Sequence, residues 1–175
     1  MKSFKYLLIL AVCASGCIKH VPLQGNYPQG PVIGQTDQKV DVVWQKLINV
    51  VSEKGLNVKV VDKNSGFIMS DDLSFQHKLT TESKSGKLVN PEAFLVTSRL
   101  NVVKSERFEL KKVTGQWSVI LSPTANGGTE IKAMMAGMEA KDEMPANQRI
   151  AGQSVKKYEV YSLQNFEKWL IASLK

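Results

Sequence analysis

Val40, Val43, Trp44, Leu47, Ile48 and Val51 recur at i, i+3, i+4, i+7, i+8 and i+11, the strongest periodic signal in the chain. Apolar residues at that spacing form one stripe of an α-helix, and a stripe of this width must be covered by another layer of structure. Lys39, Asp41, Gln45, Lys46, Asn49 and Glu53 fall on the opposite side. Thr36 or Asp37 is placed to cap the start, and Gly55 supplies the left-handed residue that stops the helix. Trp44 sits in the middle of the stripe and reads as core, although an aromatic there can also serve as a ligand platform.

The period then changes from 3.6 to 2. Leu56, Val58 and Val60 alternate with Asn57 and Lys59, Asp62-Lys63-Asn64-Ser65-Gly66 makes a turn, and Phe67-Ile68-Met69-Ser70 begins a return strand. Residues 74–92 are polar and are expected to form a long exposed loop. Three strand-like runs come next: Phe94 to Val102 in steps of two, Phe108 with Leu110, and Trp117, Val119 and Leu121 after a turn at Thr114-Gly115. A second turn at 123–128 leads to Ile131, Ala133 and Met135, and residues 139–157, with Pro145 and Gly152, read as a mobile loop. Ser162 is expected to cap a last helix, with Tyr161 and Phe166 as a hydrophobic staple. Leu163, Phe166, Leu170 and Leu174 share one face of that helix, which Trp169 and Ile171 widen. The expected fold is therefore α+β: an antiparallel sheet of about five strands with an N-terminal and a C-terminal helix packed on one face.

Val43-Trp44, Gly55-Leu56-Asn57-Val58 and Asp62-Lys63-Asn64-Ser65-Gly66-Phe67-Ile68 run in the order helix, glycine, strand, turn, strand. In this the chain resembles the helix-grip domains of BamC, the lipoprotein of the outer-membrane β-barrel assembly machine, and related bacterial lipoprotein domains. BamC carries a long N-terminal lasso and two such domains, whereas this chain has a shorter leading segment and room for one. The resemblance implies that both helices lie across the same sheet with a groove between sheet and terminal helix. Trp44, Phe67, Met135, Phe166 and Trp169 are the candidates to line that groove or to form a partner surface.

The leading segment also suggests an address. Lys2 and Lys5 precede an apolar run at 6–12 that is too short to span a bilayer, and Ala14-Ser15-Gly16 brings small residues up to Cys17. The pattern resembles a bacterial lipoprotein signal, which implies cleavage after residue 16 and a lipid on Cys17. Ile18 stands where enteric lipoproteins retained at the inner membrane carry Asp, so the same resemblance implies delivery to the outer membrane, with the domain in the periplasm. Residues 17–36 contain Pro22, Pro28 and Pro31 with Gly25, Gly30 and Gly34 and show no period. They read as a flexible tether with a reach of roughly 60 Å. The other reading makes Tyr27, Val32 and Ile33 a docking strand for a partner. Residues 37–175 are then a single domain.

Several function classes are disfavoured. The formal charge is +7, and without Lys2 and Lys5 the chain keeps 21 basic against 16 acidic residues, or +5. The lysines are scattered without an aromatic-interleaved stripe, so nucleic acid is not an expected partner, and weak attraction to anionic lipid beside the anchor is the better use of the charge. Asp71-Asp72 has no ligand partner in sight, His20 lies in the tether and His77 in the polar loop. Ser85-Gly86-Lys87 lacks the spacing of a phosphate loop, and Ser154-Val155-Lys156-Lys157 lacks the companions of a penicillin-interacting site. Met134, Met135, Met138 and Met144 suit soft packing better than copper. No metal, cofactor or catalytic set is expected. What remains is a non-enzymatic envelope lipoprotein, held to the membrane by its lipid and acting as an accessory or scaffold through protein–protein binding. The alternative is a carrier of a small apolar ligand or lipid.

Overall fold

The computed structural model describes residues 19–101, 112–141 and 157–175. The expected signal peptide at 1–16, Cys17, the run at Phe108 and Leu110, Met144, and the Pro145–Gly152 part of the second loop lie outside the described residues.

In chain order the elements are β1 (Lys19–Val21), β2 (Val32–Thr36), α1 (Val40–Glu53), β3 (Val58–Asp62), β4 (Phe67–Ser70) and β5 (Leu73–Ser74). After a 3-10 turn at Gln76–Lys78 come β6 (Leu79–Thr81), β7 (Leu95–Thr97), β8 (Arg99–Asn101), β9 (Lys112–Pro123) and β10 (Thr129–Lys141). The chain closes with β11 (Lys157–Tyr158), β12 (Val160–Ser162) and α2 (Asn165–Leu174). The fold is α+β with a mostly antiparallel sheet and two helices. The strands divide into a seven-stranded sheet, in which β11, β10, β9, β4 and β3 lie side by side with β2 on β10 and β5 on β9, a three-stranded sheet β12-β7-β6, and the ribbon β1-β8.

The β9–β10 hairpin is the spine. Along β9, Val113, Trp117, Val119 and Leu121 are buried, and directly opposed to the last three are Met135, Ala133 and Ile131 of β10, also buried. Alternation at period 2 gives the hairpin one dry face. Its turn closes with Thr124 N–H on the Gly128 carbonyl at 3.0 Å, and a Cβ at Gly128 would stand 2.4 Å from the Thr36 carbonyl, where β2 leaves the sheet. The turn expected at Thr114-Gly115 does not occur. Gly115 lies inside β9 opposite Leu73, and an added Cβ would meet Met138 Cγ at 3.2 Å, so the glycine makes room for packing.

The dry face is covered by both helices. Val43, Trp44, Leu47 and Val51 of α1 and Phe166, Leu170, Ile171 and Leu174 of α2 are buried in one cluster with Ile68, Trp117, Val119 and Ile131. Full burial of each such side chain contributes on the order of 1.5–3 kcal/mol. The helix α1 starts later than expected: Lys39 is its N-cap residue with no side-chain bond, and Thr36 belongs to β2. Its end is as expected, with Gly55 at φ +61 and Leu56 N–H on the Val51 carbonyl at 2.9 Å. The Asp62 turn also forms, Asp62 Oδ1 accepting from the Asn64 and Ser65 amides, while Gly66 at φ +67 packs on β9 and accepts from Leu121 N–H at 2.9 Å.

Two expectations are corrected. The expected tether is strand at both ends of its described part: β1 pairs with β8, and Val32–Thr36 pairs with Thr129–Ala133 as an added strand of the main sheet, while residues 22–31 between them are largely exposed. Gly34, read as tether flexibility, is a close-approach glycine, since a Cβ there would lie 2.4 Å from Ile171 Cγ2 of α2. Nor are residues 74–92 a loop exposed throughout. Phe75 is buried in the core, Leu79–Thr81 pairs in parallel with Leu95–Thr97, and a bridge between Glu82 and Leu88 closes the short loop after β6. The run expected from Phe94 to Val102 breaks at Ser98, whose N–H turns to the Glu159 carbonyl at 3.1 Å. The second expected loop is also shorter at both ends, because residues 139–141 extend β10 and residue 157 opens β11. A single sheet of about five strands therefore becomes three connected ones.

Candidate functional site

The five positions expected to line a groove or partner surface do not share one face. Trp44, Met135 and Phe166 are buried in the cluster beneath the helices, and Trp169 packs against it. Phe166 stands at the centre of four rings: Phe94 at 5.4 Å, Trp169 at 5.6 Å, and Phe75 and Trp117 at 6.2 Å. Those separations are the edge-to-face and tilted contacts of packed aromatics, so the rings fill the space beside α2 with one another. Trp117 Nε1 is buried there without a hydrogen-bond partner among the described residues.

Phe67 points the other way. It is directly opposed to Ile120, which is opposed to Lys132, which is opposed to Ile33. Directly opposed residues of neighbouring strands share a face, so Ile33, Lys132, Ile120 and Phe67 form a row across β2, β10, β9 and β4 on the side away from the helices. Ile33 is 56% exposed and Ile120 40%. A second row, Met134, Ser118, Met69 and Val60, runs beside it across β10, β9, β4 and β3. Lys132 pairs with Glu130 at 2.9 Å, and this contact holds the Glu130 carboxyl below the usual carboxylate range. The result is an apolar strip that includes the Lys132–Glu130 pair, on a sheet face that neither helix of the described residues covers.

The structure adds two buried carboxylates to the residues singled out in the sequence. Glu82 accepts from the Gln24 N–H and the Gly25 N–H at 2.7 Å each and from the Tyr27 hydroxyl at 2.6 Å, while the Tyr27 ring stacks on Tyr161. Burial first, and then Glu82, push the Tyr27 phenol up to about 12. Glu167 accepts from the Ser162 hydroxyl at 2.8 Å and from the Met135 N–H at 3.2 Å. That amide is available because β2 ends opposite Ala133 and β11 begins only at Ala140. Ser162 is thus not the N-cap: Gln164 takes that position at φ 62, and Ser162 Oγ accepts its N–H at 2.9 Å. The signal for Glu167 was present, because Glu167, Leu170, Ile171 and Leu174 follow i, i+3, i+4, i+7 and the acid lies on the apolar stripe. Glu82 offered none, since Gln24, Gly25 and Tyr27 are 55 to 58 residues away.

Both carboxylates are spent on neighbouring amides and hydroxyls, which fits a structural use. Asp71 accepts from the Asp72 N–H and lies 3.9 Å from Lys59. Among the described residues no three His, Cys, Asp or Glu side chains are grouped to hold a metal ion, and no helix is long and apolar enough to cross a membrane. No family model matches the chain, and no curated protein is significantly similar to it in sequence.

Proposed function

We propose that this chain is a lipoprotein attached through Cys17 to the outer membrane, with a single helix-grip, BamC-like domain facing the periplasm. It acts without catalysis, as an accessory or scaffold protein that binds another envelope protein. The observation that carries the reading is the sheet face left open by the described residues, where Ile33 and Ile120 stand exposed on either side of Lys132 and Phe67 completes the row. An apolar strip of this kind, edged by charge, is the usual composition of a protein-binding patch. The rings of Phe75, Phe94, Trp117 and Trp169 packed around Phe166, beside the helix where such a groove was expected, favour this reading over a carrier.

A photo-crosslinking residue placed at Ile120 or Ile33 in intact cells tests it. Both positions should give the same discrete protein adduct, and Val42, comparably exposed but on α1, should not. Adducts that are identical at all three positions would remove the patch from the reading. Independently, Cys17→Ser should move the folded domain from the membrane pellet to the soluble periplasmic fraction, and a variant that still pellets would count against the anchor.

A further inference from the structure

The end of the molecule at which the chain emerges from its anchor is defined by strand register. The strand β11 pairs with Ala140 and Lys141 at the end of β10, and β12 follows β11 with only Glu159 between them. The next step is β7, antiparallel to β12, with Thr97 opposite Val160. Past Thr97 the chain runs on as β8, beyond Glu159, whose carbonyl takes the Ser98 N–H. At the outer limit of β8, Asn101 is opposed to Lys19. Lys19 therefore lies beyond the Lys141 end of the long hairpin, at the opposite pole from the 124–128 turn. Eleven residue steps along β9, at about 3.4 Å each, separate those poles by roughly 37 Å.

Lys19, the first residue of β1, is two residue steps from Cys17, so the free span is about 7 Å at most. The segment after β1 is also fastened: Gln24, Gly25 and Tyr27 all donate to Glu82, and Val32–Thr36 is in the main sheet. The same pole brings together lysine positions from three strands. Lys112, Lys141 and Lys157 occupy mutually opposed positions on β9, β10 and β11. Like charges at directly opposed positions disfavour the pairing unless counter-charge is near. Glu139 pairs with Lys141.

We infer that the domain stands directly on the bilayer, with the β1–β8 ribbon and the Lys112–Lys141–Lys157 row against anionic phospholipid headgroups, rather than floating on a long leash. This rests on the lipid-anchor reading. The short span from Cys17 selects the lipid surface, and three lysine positions brought to one end of the sheet suit anionic headgroups there. With the sheet upright, the Ile33–Lys132–Ile120–Phe67 row is raised roughly 27 Å above the membrane, eight residue steps from Lys112, and remains open to a partner.

The protein as processed in cells, added to vesicles of phosphatidylethanolamine and phosphatidylglycerol, tests the inference with a fluorophore on Glu159→Cys or Asn126→Cys and a quencher on the lipid headgroups. Quenching should be several-fold stronger at 159 than at 126. Equal quenching at the two poles overturns the inference. Failure of the protein to float with vesicles at all overturns the anchor reading instead, so the two failures are separable. In vesicles of phosphatidylcholine the contrast should shrink, and a contrast unchanged by lipid charge would remove the lysine row from the account. Protease should cut within residues 22–31 at least about tenfold faster in Glu82→Ala than in the wild type, as loss of charge-assisted bonds of this kind predicts. Equally fast cutting of the wild type would mean that the leash is free.

Discussion

The two faces of the seven-stranded sheet begin from similar residues and meet different surroundings. On the inner side Trp117, Val119 and Leu121 are opposed to Met135, Ala133 and Ile131 and disappear beneath the helices. On the outer side Ile120, Phe67, Ile33, Met69 and Met134 are comparably apolar, yet among the described residues neither helix covers them and they stay partly or largely exposed. The difference teaches that burial here is decided by the number of apolar stripes available to cover a face. Two helices supply two stripes, and both are used on one side. An antiparallel sheet tolerates a wet face when that face is polar. A wet face that is instead apolar is a surface with a use, and this contrast motivates assigning binding to the outer side and stability to the inner.

Substitutions on the two sides break or sharpen that contrast. The largest effect is expected inside: Phe166→Ala and Trp44→Ala each remove a ring from a filled cluster and should destabilise by about 3–5 kcal/mol in denaturant unfolding. A midpoint unmoved by either would mean that the cluster under the helices is not the stabilising core. Next comes Glu167→Ala, which deprives the Ser162 hydroxyl and the Met135 amide of their acceptor and should cost about 1–3 kcal/mol. Retention of full stability would show that water serves them equally well.

Tyr27→Phe removes one bond to Glu82 and should cost about 0.5–1.5 kcal/mol. Folding raises the Tyr27 pKa above its ordinary value of 10.0 to about 12, so the neutral phenol's contribution is complete below pH 10 and is lost as pH climbs through 12. Wild type and Tyr27→Phe should accordingly differ in stability at pH 8 and converge at the alkaline end. An absorbance titration in which Tyr27 ionises near pH 10 would contradict the clamp. The smallest effect belongs outside: Ile120→Ser with Ile33→Ser should change stability by no more than about 0.5 kcal/mol per site while abolishing the crosslinked adduct. Loss of folding in that double variant would place the outer row in the core and erase the contrast.

Much of the inner side was readable from local pattern. The α1 stripe ends at Gly55 as its spacing demands, the Asp62 turn forms, and α2 buries Phe166, Leu170, Ile171 and Leu174. The segment 17–36 was not readable, because what orders its described part lies far along the chain. The partner of β2 is β10, about a hundred residues on, and Gly34 is required by Ile171, which is further still. Residues 74–92 failed similarly: their polar composition hides Phe75 and the parallel pairing of Leu79–Thr81 with Leu95–Thr97. Of the five candidate site residues, Trp44, Met135 and Phe166 fell together in the core and Trp169 beside it, while Phe67 was displaced to the other face by the strand's alternation.

Sequence by itself determined the two amphipathic helices, the spine hairpin around Trp117 and Ile131, and the turn chemistry at Gly55 and Asp62, since each depends on residues within a few positions of one another. Tertiary structure alone decided that the leading segment is part of the sheet, that Glu82 and Glu167 fasten distant segments to it, and that Ile33, Ile120 and Phe67 meet in one uncovered row. Those outcomes depend on register between distant strands, where a shift of one residue exchanges the two faces, and no local pattern carries that information.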